Sequence, residues 1–392
     1  MPWKETCAME ERKEFVRAVL RQEASVSELC RAWGISRKTG YKWLERYEEV
    51  GRCGLSDRSH APLSCPHRLD EALIEGVLDL RGVHPSWGPK KLRAWLLQHR
   101  PALIWPAAST IGELLRARGL SVPRRRRSRV PPGAPFGAVS AANDVWTVDF
   151  KGWFRTGDGV RCDPLTLQDA HSRYLLRCQA VKRAGAGCVW PIFDAAFREH
   201  GLPLRMRSDN GPPFATTAMG GLSKLAIRLI KTGVIPERIE PGKPQQNGRH
   251  ERFHLTLKRE TASPPAASVL AQQRRFDGFR KLYNEERPHE ALGQTPPAQH
   301  YAPSPRRYSG RLKEPEYPDG YEVRRVRHNG EIKWQGEYLY VGQVLGGEPV
   351  GCLPLDDDRW QLCYGPLDLG IIDNRGRLHV PRRRGTYNRP TS

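Results

Sequence analysis

No apolar run in the sequence approaches the roughly 18 residues that a membrane-spanning helix needs. The first residues are charged, and they contain no apolar segment of the kind that signal peptides carry. Both absences argue against a membrane protein and against a secreted one. We therefore expect a cytoplasmic protein with no membrane partner.

Paired cysteine motifs are also missing. The nine cysteines are scattered along the chain, their number is odd, and no two of them form a CxxC motif. A disulfide scaffold is excluded on this pattern, and a reducing compartment fits it better. One alternative is a zinc site made by Cys53, His60, Cys65 and His67, but their spacing matches none of the usual ligand pairs.

Acidic residues are scarce relative to basic ones. The chain has 64 lysines and arginines against 43 aspartates and glutamates, which gives a net charge of +21. The excess is present in the N-terminal, central and C-terminal parts, so it is not one basic tail. Such a balance favours an acidic polymer as the partner, most simply nucleic acid. With 38% hydrophobic residues, the chain also has enough apolar material to form folded cores.

The N-terminal pattern predicts three short helices. One covers about 9–22, a second begins near Ser25, and a third begins at Arg37 after a turn at Gly34-Ile35-Ser36. Helix, glycine turn and helix form a DNA-reading motif when the last helix carries basic and polar residues at its start. The DNA-binding candidates there are Arg37, Lys38, Thr39 and Lys42. The alternative is a three-helix core with a solvated basic face.

A second helical unit follows over about 67–121. Asp70 can cap its first helix, Pro89 can begin the next, and Thr110 with Glu113 suggests a capping box for the third. The unit is similar to a second helix-turn-helix or winged helix, or else it is a helical spacer. A proline-bounded linker over 122–140 comes next. Its arginines can neutralise backbone phosphates; they are Arg124, Arg125, Arg126, Arg127 and Arg129.

The central region alternates strand and helix patterns, which predicts an α/β domain. Asp149 lies near the end of its first strand, Asp209 ends a later short strand, and Glu251 lies near the start of a helix that we expect to direct it inward. Three converging carboxylates are hard-oxygen ligands suited to Mg²⁺ or Mn²⁺. Two such ions can activate an attacking oxygen and stabilise the leaving one in phosphoryl transfer.

Several neighbours of these acids are candidate supporting residues. Asn210 and Gly211 follow Asp209, and Asn247 lies one helical turn before Glu251. Lys258 is on the same helix face as Glu251 and can hold a DNA phosphate. His254 can do the same or simply pack. The other aspartates of the region lack a comparable context; they are Asp158, Asp163, Asp169 and Asp194, with Asp144 as the nearest rival to Asp149.

Three blocks of the central region carry a family resemblance. They are Val148-Asp149-Phe150, Ser208-Asp209-Asn210-Gly211 and the segment 242–252 that ends in Asn247-Gly248-Arg249-His250-Glu251-Arg252. Together with the N-terminal helix-turn-helix, they resemble the DDE transposases of bacterial insertion sequences over about residues 1–300. The resemblance implies an RNase H-like integrase core with Asp149, Asp209 and Glu251 as catalytic and metal-binding residues.

The resulting domain prediction has five parts. It places a helix-turn-helix domain at 1–58, the second helical unit at 67–121, the arginine-rich linker at 122–140, the catalytic core at 141–300 and a small all-β barrel at 321–380. The prediction of a barrel rests on alternating β-type segments with turns between them.

The function that this implies is a DNA transposase. It would bind terminal inverted repeats, cleave 3′ ends with two Mg²⁺ ions and transfer strands to target DNA. Because two ends must meet, we expect a homodimer or a larger synaptic assembly, associated with the nucleoid. The alternatives are a DNA-binding regulator or inactive copy, an RNase H-like nuclease without strand transfer, and, less favoured, an RNA-processing enzyme.

Overall fold

The computed structural model falls into two compact units, Met1–Arg68 and Leu69–Ser392. The residues that it describes are 7–58, 69–121, 139–183, 185–216, 219–239 and 248–380. Among these residues, no helix is both long enough and apolar enough to cross a membrane.

The first unit is a bundle of three helices. They are α1 (Ala8–Leu20), α2 (Val26–Ala32) and α3 (Arg37–Val50). Ser25 and Glu28 form a capping box at the start of α2, and the Ser36 hydroxyl accepts the Thr39 backbone N–H at 3.1 Å at the start of α3. Gly34 adopts φ +65° in the turn between these two helices, a conformation that favours glycine. The predicted helix-turn-helix is therefore present.

Close packing holds the three helices together. Phe15 of α1, Cys30 of α2 and Trp43 of α3 are buried in one apolar cluster. A Cβ atom added to Gly40 of α3 would lie 2.5 Å from the Cys30 Sγ atom, which no real side chain tolerates. The glycine therefore lets α3 approach α2 closely, and the motif keeps its basic face outside.

The second unit begins with three further helices. They are α4 (Glu71–Val83), α5 (Pro89–His99) and α6 (Ala108–Ala117). Asp70 caps α4 and Pro89 opens α5, as the sequence predicts. The capping box predicted at Thr110 is wrong, because α6 begins earlier, after Ala107, and has no side-chain cap. Apolar residues of all three helices form one core.

A mixed sheet forms the centre of the second unit. Its strands are β1 (Val145–Phe150), β2 (Phe154–Arg155), β3 (Arg161–Asp169), β4 (Leu175–Val181), β5 (Arg205–Ser208) and β6 (Ile235–Arg238). The order is β4-β3-β1-β5-β6, with β2 also paired to β3. The pairs among β1, β3 and β4 are antiparallel, whereas β5 and β6 run parallel to β1.

Helices cover both faces of this sheet. They are α7 (Ala186–His200), α8 (Lys224–Lys231), α9 (Gly248–Thr261) and α10 (Val269–Glu285). The first two pack on the face that carries Trp146 and Val148, and the last two pack on the face that carries Cys162 and Leu175. The predicted central α/β core is confirmed as a layered structure with the sheet in the middle.

The C-terminal part is all β. Its strands are β7 (Glu322–Arg325), β8 (Glu331–Trp334), β9 (Glu337–Tyr340), β10 (Pro349–Asp356), β11 (Arg359–Tyr364), β12 (Leu367–Asp373) and β13 (Leu378–His379). Five of them form the sheet β13-β12-β11-β10-β7, and β8 and β9 form a hairpin. Within the described residues, no pairing joins the edge strands β7 and β13, so the barrel that the sequence predicts is not confirmed.

Candidate active site

Asp149 and Asp209 lie at the ends of neighbouring parallel strands. The register pairs Thr147 of β1 with Arg207 of β5; Asp149 lies two residues after Thr147, and Asp209 lies two residues after Arg207, directly beyond the end of β5. Neighbouring strands are about 4.8 Å apart, and paired residues point to the same face. The two carboxylates that the sequence singled out therefore start from adjacent positions at one edge of the sheet.

The face of the sheet on which they lie follows from the packing of their neighbours. Trp146 and Val148 belong to the core under α7 and α8, and Phe150 packs against it. Because side chains alternate along a strand, Asp149 points to the opposite face, which α9 and α10 cover. Both aspartates are half-buried there.

The turn after β5 shapes the surroundings of Asp209. The Gly211 backbone N–H donates to the Asp209 Oδ1 atom at 3.2 Å. A Cβ atom on Gly211 would come within 3.2 Å of the Oδ2 atom, so the glycine allows this close approach. Burial raises the pKa of the Asp209 carboxyl above its ordinary value, while the hydrogen bond from Gly211 opposes the rise.

Asn210 has a positioning contact. Its Nδ2 atom donates to the Ile239 carbonyl at 2.9 Å, and Ile239 follows the last residue of β6. The Ile239 backbone N–H in turn donates to the Ser208 carbonyl at 3.3 Å. Asn210 thus joins the turn that carries Asp209 to the segment after β6, a backbone contact that the sequence could not specify.

Thr166 connects α9 to the strand that carries Asp149. It pairs with Asp149 across β1 and β3, and its hydroxyl donates to the Asp149 carbonyl at 3.1 Å. The Nε2 atoms of His250 and His254 each lie 2.9 Å from the same hydroxyl oxygen. A hydroxyl has one hydrogen and two lone pairs, so both imidazoles donate from Nε2–H. No pattern in the sequence indicates this network.

Burial favours the neutral form of both histidines. Burial lowers the pKa of His250 to about 4. Burial also lowers the pKa of His254 to about 3, with further contributions from His250 and Lys151. Of the two roles considered for His254, the structure therefore supports packing, and phosphate binding by a protonated ring is not supported.

Glu251 differs from its prediction in one respect. It lies in the first turn of α9, next to the buried His250, as the spacing required. Its side chain is exposed, however, whereas we expected it to point inward. The helix phase explains the difference, because the buried face of α9 carries His250, Phe253 and Leu257. Glu251 is therefore beside the sheet edge on the solvent side.

The side chains of Asp149, Asp209 and Glu251 are chemically suited to bind a hard divalent cation. Carboxylate oxygens are the ligands that Mg²⁺ prefers, and the three candidates are all carboxylates. Within the described residues, no three His, Cys, Asp or Glu side chains stand close enough together to hold a metal ion. Joint coordination of one ion therefore requires the side chains of Asp149, Asp209 and Glu251 to come closer together than they are in this structure.

Lys258 lies two turns after Glu251 and is exposed. Lys151, which follows the end of β1, is near enough for Lys258 to contribute to a lowered pKa of its amine, although burial is the larger cause. The sequence analysis did not identify Lys151. Two cations therefore flank the edge that carries Asp149, where an anionic backbone would pass.

The candidate DNA contacts of the helix-turn-helix lie at the start of α3. Arg37, Lys38 and Lys42 are exposed there. Thr39 is half-buried, and its hydroxyl lies 2.9 Å from that of Ser36 within the helix cap. Tyr41 lies on the same helix and is 58% exposed. It is a further contact candidate that the helix pattern does not reveal, because its exposure is seen only in the structure.

Some predicted residues lie outside the described part of the chain. These are Asn247, Arg124, Arg125, Arg126, Arg127 and Arg129, together with His60, Cys65 and His67 of the zinc alternative.

The rival aspartates have structural partners. Asp144 accepts the backbone N–H groups of Ser140 and Ala141, each at 2.9 Å. Asp169 is buried and accepts from the Ser172 hydroxyl at 2.6 Å. Asp163 pairs with Arg161, Asp194 pairs with Arg198, and Asp158 accepts from Thr156. These contacts give each of the five aspartates a structural role, so none of them needs a catalytic one.

The segment after α10 fastens the helices α4–α6 to the core. Arg287 is buried and pairs with Glu260 of α9. The Glu260 Oε1 atom also accepts from the Ser86 hydroxyl at 2.5 Å, and Lys91 of α5 donates to the Pro288 carbonyl. The second helical unit is therefore attached to the helix that carries Glu251, a link that the sequence pattern did not reveal.

Three family descriptions match parts of the chain. Residues 232–297 match an integrase core domain. Residues 39–115 match a homeodomain-like domain, and residues 11–62 match a helix-turn-helix domain. The first match contains α9 with Glu251, and the other two cover the N-terminal helices.

Two curated proteins are similar over most of the chain. An uncharacterized 31.7 kDa protein of insertion element IS407 from Burkholderia multivorans is 30% identical over 297 residues, which are 72% of this chain and 93% of that protein. An uncharacterized 39.2 kDa protein of insertion element IS476 from Xanthomonas euvesicatoria is 27% identical, over 75% of this chain and 78% of its own length.

Solved structures give a weaker similarity. A simian T-cell lymphotropic virus intasome chain is 15% identical over 78% of this chain and all of its own length, with a TM-score of 0.37. The HTLV-2 integrase catalytic core domain in complex with magnesium covers 41% of this chain and 98% of its own, at 14% identity and a TM-score of 0.32. Such low TM-scores do not establish a shared arrangement of the whole chain.

Proposed function

This chain belongs to the insertion-element transposases that have a DDE integrase core behind helix-turn-helix domains, and we propose that it mobilises DNA by cleaving element ends and joining them to a target. The observation that supports the proposal is that Asp149 of β1 and Asp209, which directly follows β5, each lie two residues beyond the paired residues Thr147 and Arg207 of these neighbouring strands. The first turn of α9, which contains Glu251, is linked to the strand of Asp149 through the contact of His250 with Thr166.

The proposed roles follow from these positions. Asp149, Asp209 and Glu251 hold two Mg²⁺ ions, with Mn²⁺ as a possible substitute. When bound, such ions activate an attacking oxygen and stabilise the leaving one in phosphoryl transfer. Asn210 and Gly211 fix the turn under Asp209. Lys258 contacts a backbone phosphate of the DNA end, which fixes the scissile bond relative to the carboxylates.

DNA recognition is assigned to the N-terminal helices. Arg37, Lys38, Thr39 and Lys42 at the start of α3 contact the terminal inverted repeat, with Tyr41 beside them. The arginines Arg124–Arg127 and Arg129 add phosphate contacts, which carry no sequence information but strengthen binding. Two ends must be held together for strand transfer, so the acting species is a homodimer or a larger assembly on the bacterial nucleoid.

Two other functions share these features. A DNA-binding regulator or inactive copy would use the same helices without chemistry. An RNase H-like nuclease would use the same carboxylates without strand transfer. The helix-turn-helix domains favour element-end binding over a plain nuclease and over an RNA-processing role.

The test is a strand-transfer assay with the full-length protein, Mg²⁺ and labelled duplexes of the element ends. We expect the wild type to join ends to target DNA. Asp149→Asn, Asp209→Asn and Glu251→Gln should each lower the rate by at least about 100-fold while still binding ends, because each removes a charged ligand but keeps its shape. Asp357→Asn, in an exposed C-terminal turn, is the matched control.

The outcomes separate the three functions. Binding of ends without cleavage in Mg²⁺ or Mn²⁺ would indicate a regulator or an inactive copy. Cleavage without joining would indicate a nuclease. Equal activity of Glu251→Gln and the wild type would remove Glu251 from the proposed triad.

A further inference from the structure

Trp153 is unusual among the tryptophans of the described residues because it is exposed. Its side chain is 54% accessible, whereas the other described tryptophans are buried or half-buried. Exposing a ring of this size to water is unfavourable, since its apolar area contributes most to stability when it is buried. An exposed tryptophan near a candidate active site therefore needs an explanation.

The backbone places Trp153 just beyond Asp149. β1 ends at Phe150, which pairs with Leu165, and β2 begins at Phe154, which pairs with Cys162. Three residues on one strand therefore oppose two on the other, which is a β-bulge with Gly152 at φ +89°. Trp153 is four positions after Asp149, so their Cα atoms are at most about 14 Å apart.

The hairpin that carries Trp153 is held in place. The Gly157 and Asp158 backbone N–H groups donate to the Ala266 and Ala267 carbonyls, each at 2.8 Å. Phe154 packs into the core under α9 and α10. Because its neighbours are fixed, Trp153 presents its ring to solvent from a rigid support, and little ordering is needed when a ligand binds.

Two arginines lie over the ring. The guanidinium carbons of Arg161 and Arg155 are 5.0 and 5.8 Å from its centroid. Arg155 also donates to the Gly159 carbonyl at 2.7 Å, and Arg161 pairs with Asp163 at 3.2 Å. The local surface is thus a partly exposed aromatic ring with two guanidinium groups over it, one of which is paired with a carboxylate.

We propose that Trp153 stacks on an unpaired base of the DNA strand that passes the Asp149 edge, with Arg155 and Arg161 beside the adjoining phosphates. Bases stack on exposed aromatic rings regardless of their sequence, and arginines beside the ring add attraction to the backbone. The positive charge favours nucleic acid over an apolar protein segment as the occupant. This inference rests on the proposed function, because it takes the DNA of that reaction as its ligand.

The test measures DNA binding by the full-length protein in EDTA, so that no strand is cut. One duplex is blunt, and the other carries a three-nucleotide single-stranded end with 2-aminopurine, whose fluorescence falls when it stacks. We expect Trp153→Ala to lose the quenching and to bind the single-stranded end about ten-fold more weakly. Trp153→Phe should retain most of both signals, and blunt-duplex binding should stay within about two-fold for both variants.

A matched control is available in β9. Tyr338 is also 54% exposed and has the Arg327 guanidinium 4.5 Å from its ring centroid. Tyr338→Ala should leave the quenching unchanged. Equal losses from both alanine variants, or quenching that persists in Trp153→Ala, would overturn the proposal. So would a changed oligomeric state with unchanged DNA binding, which would make Trp153 part of a protein interface.

The stacking inference and the proposed function fail in different ways. If the wild type quenches the probe but cuts no DNA with Mg²⁺, the stacking site stands and the proposed reaction is wrong. If the wild type joins DNA but Trp153→Ala quenches and binds equally well, only the stacking inference is wrong.

Discussion

Thr166 shows how one hydroxyl can fix the geometry of a site. It satisfies the Asp149 carbonyl on one side and two uncharged imidazoles of α9 on the other. These polar groups lie in a buried region, where an unsatisfied donor or acceptor is costly. The register between the sheet and the first turn of α9 therefore depends on this residue, and so does the position of Glu251.

Replacing Thr166 by valine keeps the shape and removes the hydroxyl. We expect Thr166→Val to lower the free energy of unfolding by about 2–4 kcal/mol, because the partners are left without hydrogen bonds. Thr166→Ser keeps the hydroxyl and should cost no more than about 1.5 kcal/mol. Urea unfolding of the two variants checks this. A Thr166→Val variant as stable as the wild type, or less destabilised than Thr166→Ser, would show that the methyl group matters and the hydroxyl does not.

Some features of single residues could be predicted from the sequence, and others could not. Asp149 and Asp209 were identifiable because each ends a short β pattern. The exposure of Glu251 was not, because the phase of α9 is set by the packing of His250 and Phe253, which the sequence alone does not show. The contacts of Thr166 were also hidden, since its partners are 84 and 88 residues away in sequence.

At the scale of elements, β6 was missed entirely. The strand Ile235–Arg238 contains Pro236, which argues against a strand in a central position. In the fold, β6 is the edge strand beside β5, where a missing backbone N–H can face away from the sheet. A sequence pattern therefore identifies a central strand more readily than an edge strand, because an edge strand tolerates residues such as proline that a central strand excludes.

The attachment of α4–α6 to α9 yields a second prediction. Arg287→Met leaves the Glu260 carboxylate without its buried cation, so we expect a loss of about 3 kcal/mol in the stability of the larger unit. Lys90→Met is the control, because Lys90 pairs with Glu290 at 2.8 Å on the surface, and such pairs contribute less than about 1 kcal/mol. Urea unfolding measures both.

Limited proteolysis gives an independent measurement of the same contact. If Arg287 holds α5 through the segment that contains Pro288, Arg287→Met should make the helices α4–α6 easier to cleave. Lys90→Met should be cleaved like the wild type. An equal cleavage rate in all three proteins would show that the apolar core of α4–α6, without Arg287, holds the unit in place.

At the scale of the whole molecule, the large positive charge and the buried histidines both lower the stability of the fold when the pH falls. The net charge is already +21 near neutral pH, and it rises as carboxylates and exposed imidazoles are protonated. Burial lowers the pKa of several histidines in the larger unit; they are His84, His200, His250, His254 and His289. Two of these hold α9 against the sheet, so acid acts directly on the candidate site.

The sign of the pH dependence follows from proton uptake. In the unfolded chain these histidines bind protons below about pH 6.5, whereas in the folded protein His200 and His250 stay neutral down to about pH 4. The unfolded state therefore binds more protons in this window, and stability falls as the pH is lowered through it. We expect the melting temperature to drop steadily between pH 6.5 and pH 4.5. Repeating the melts in 0.5 M salt screens the surface repulsion but leaves the burial effect, so a drop abolished by salt would assign acid sensitivity to net charge alone.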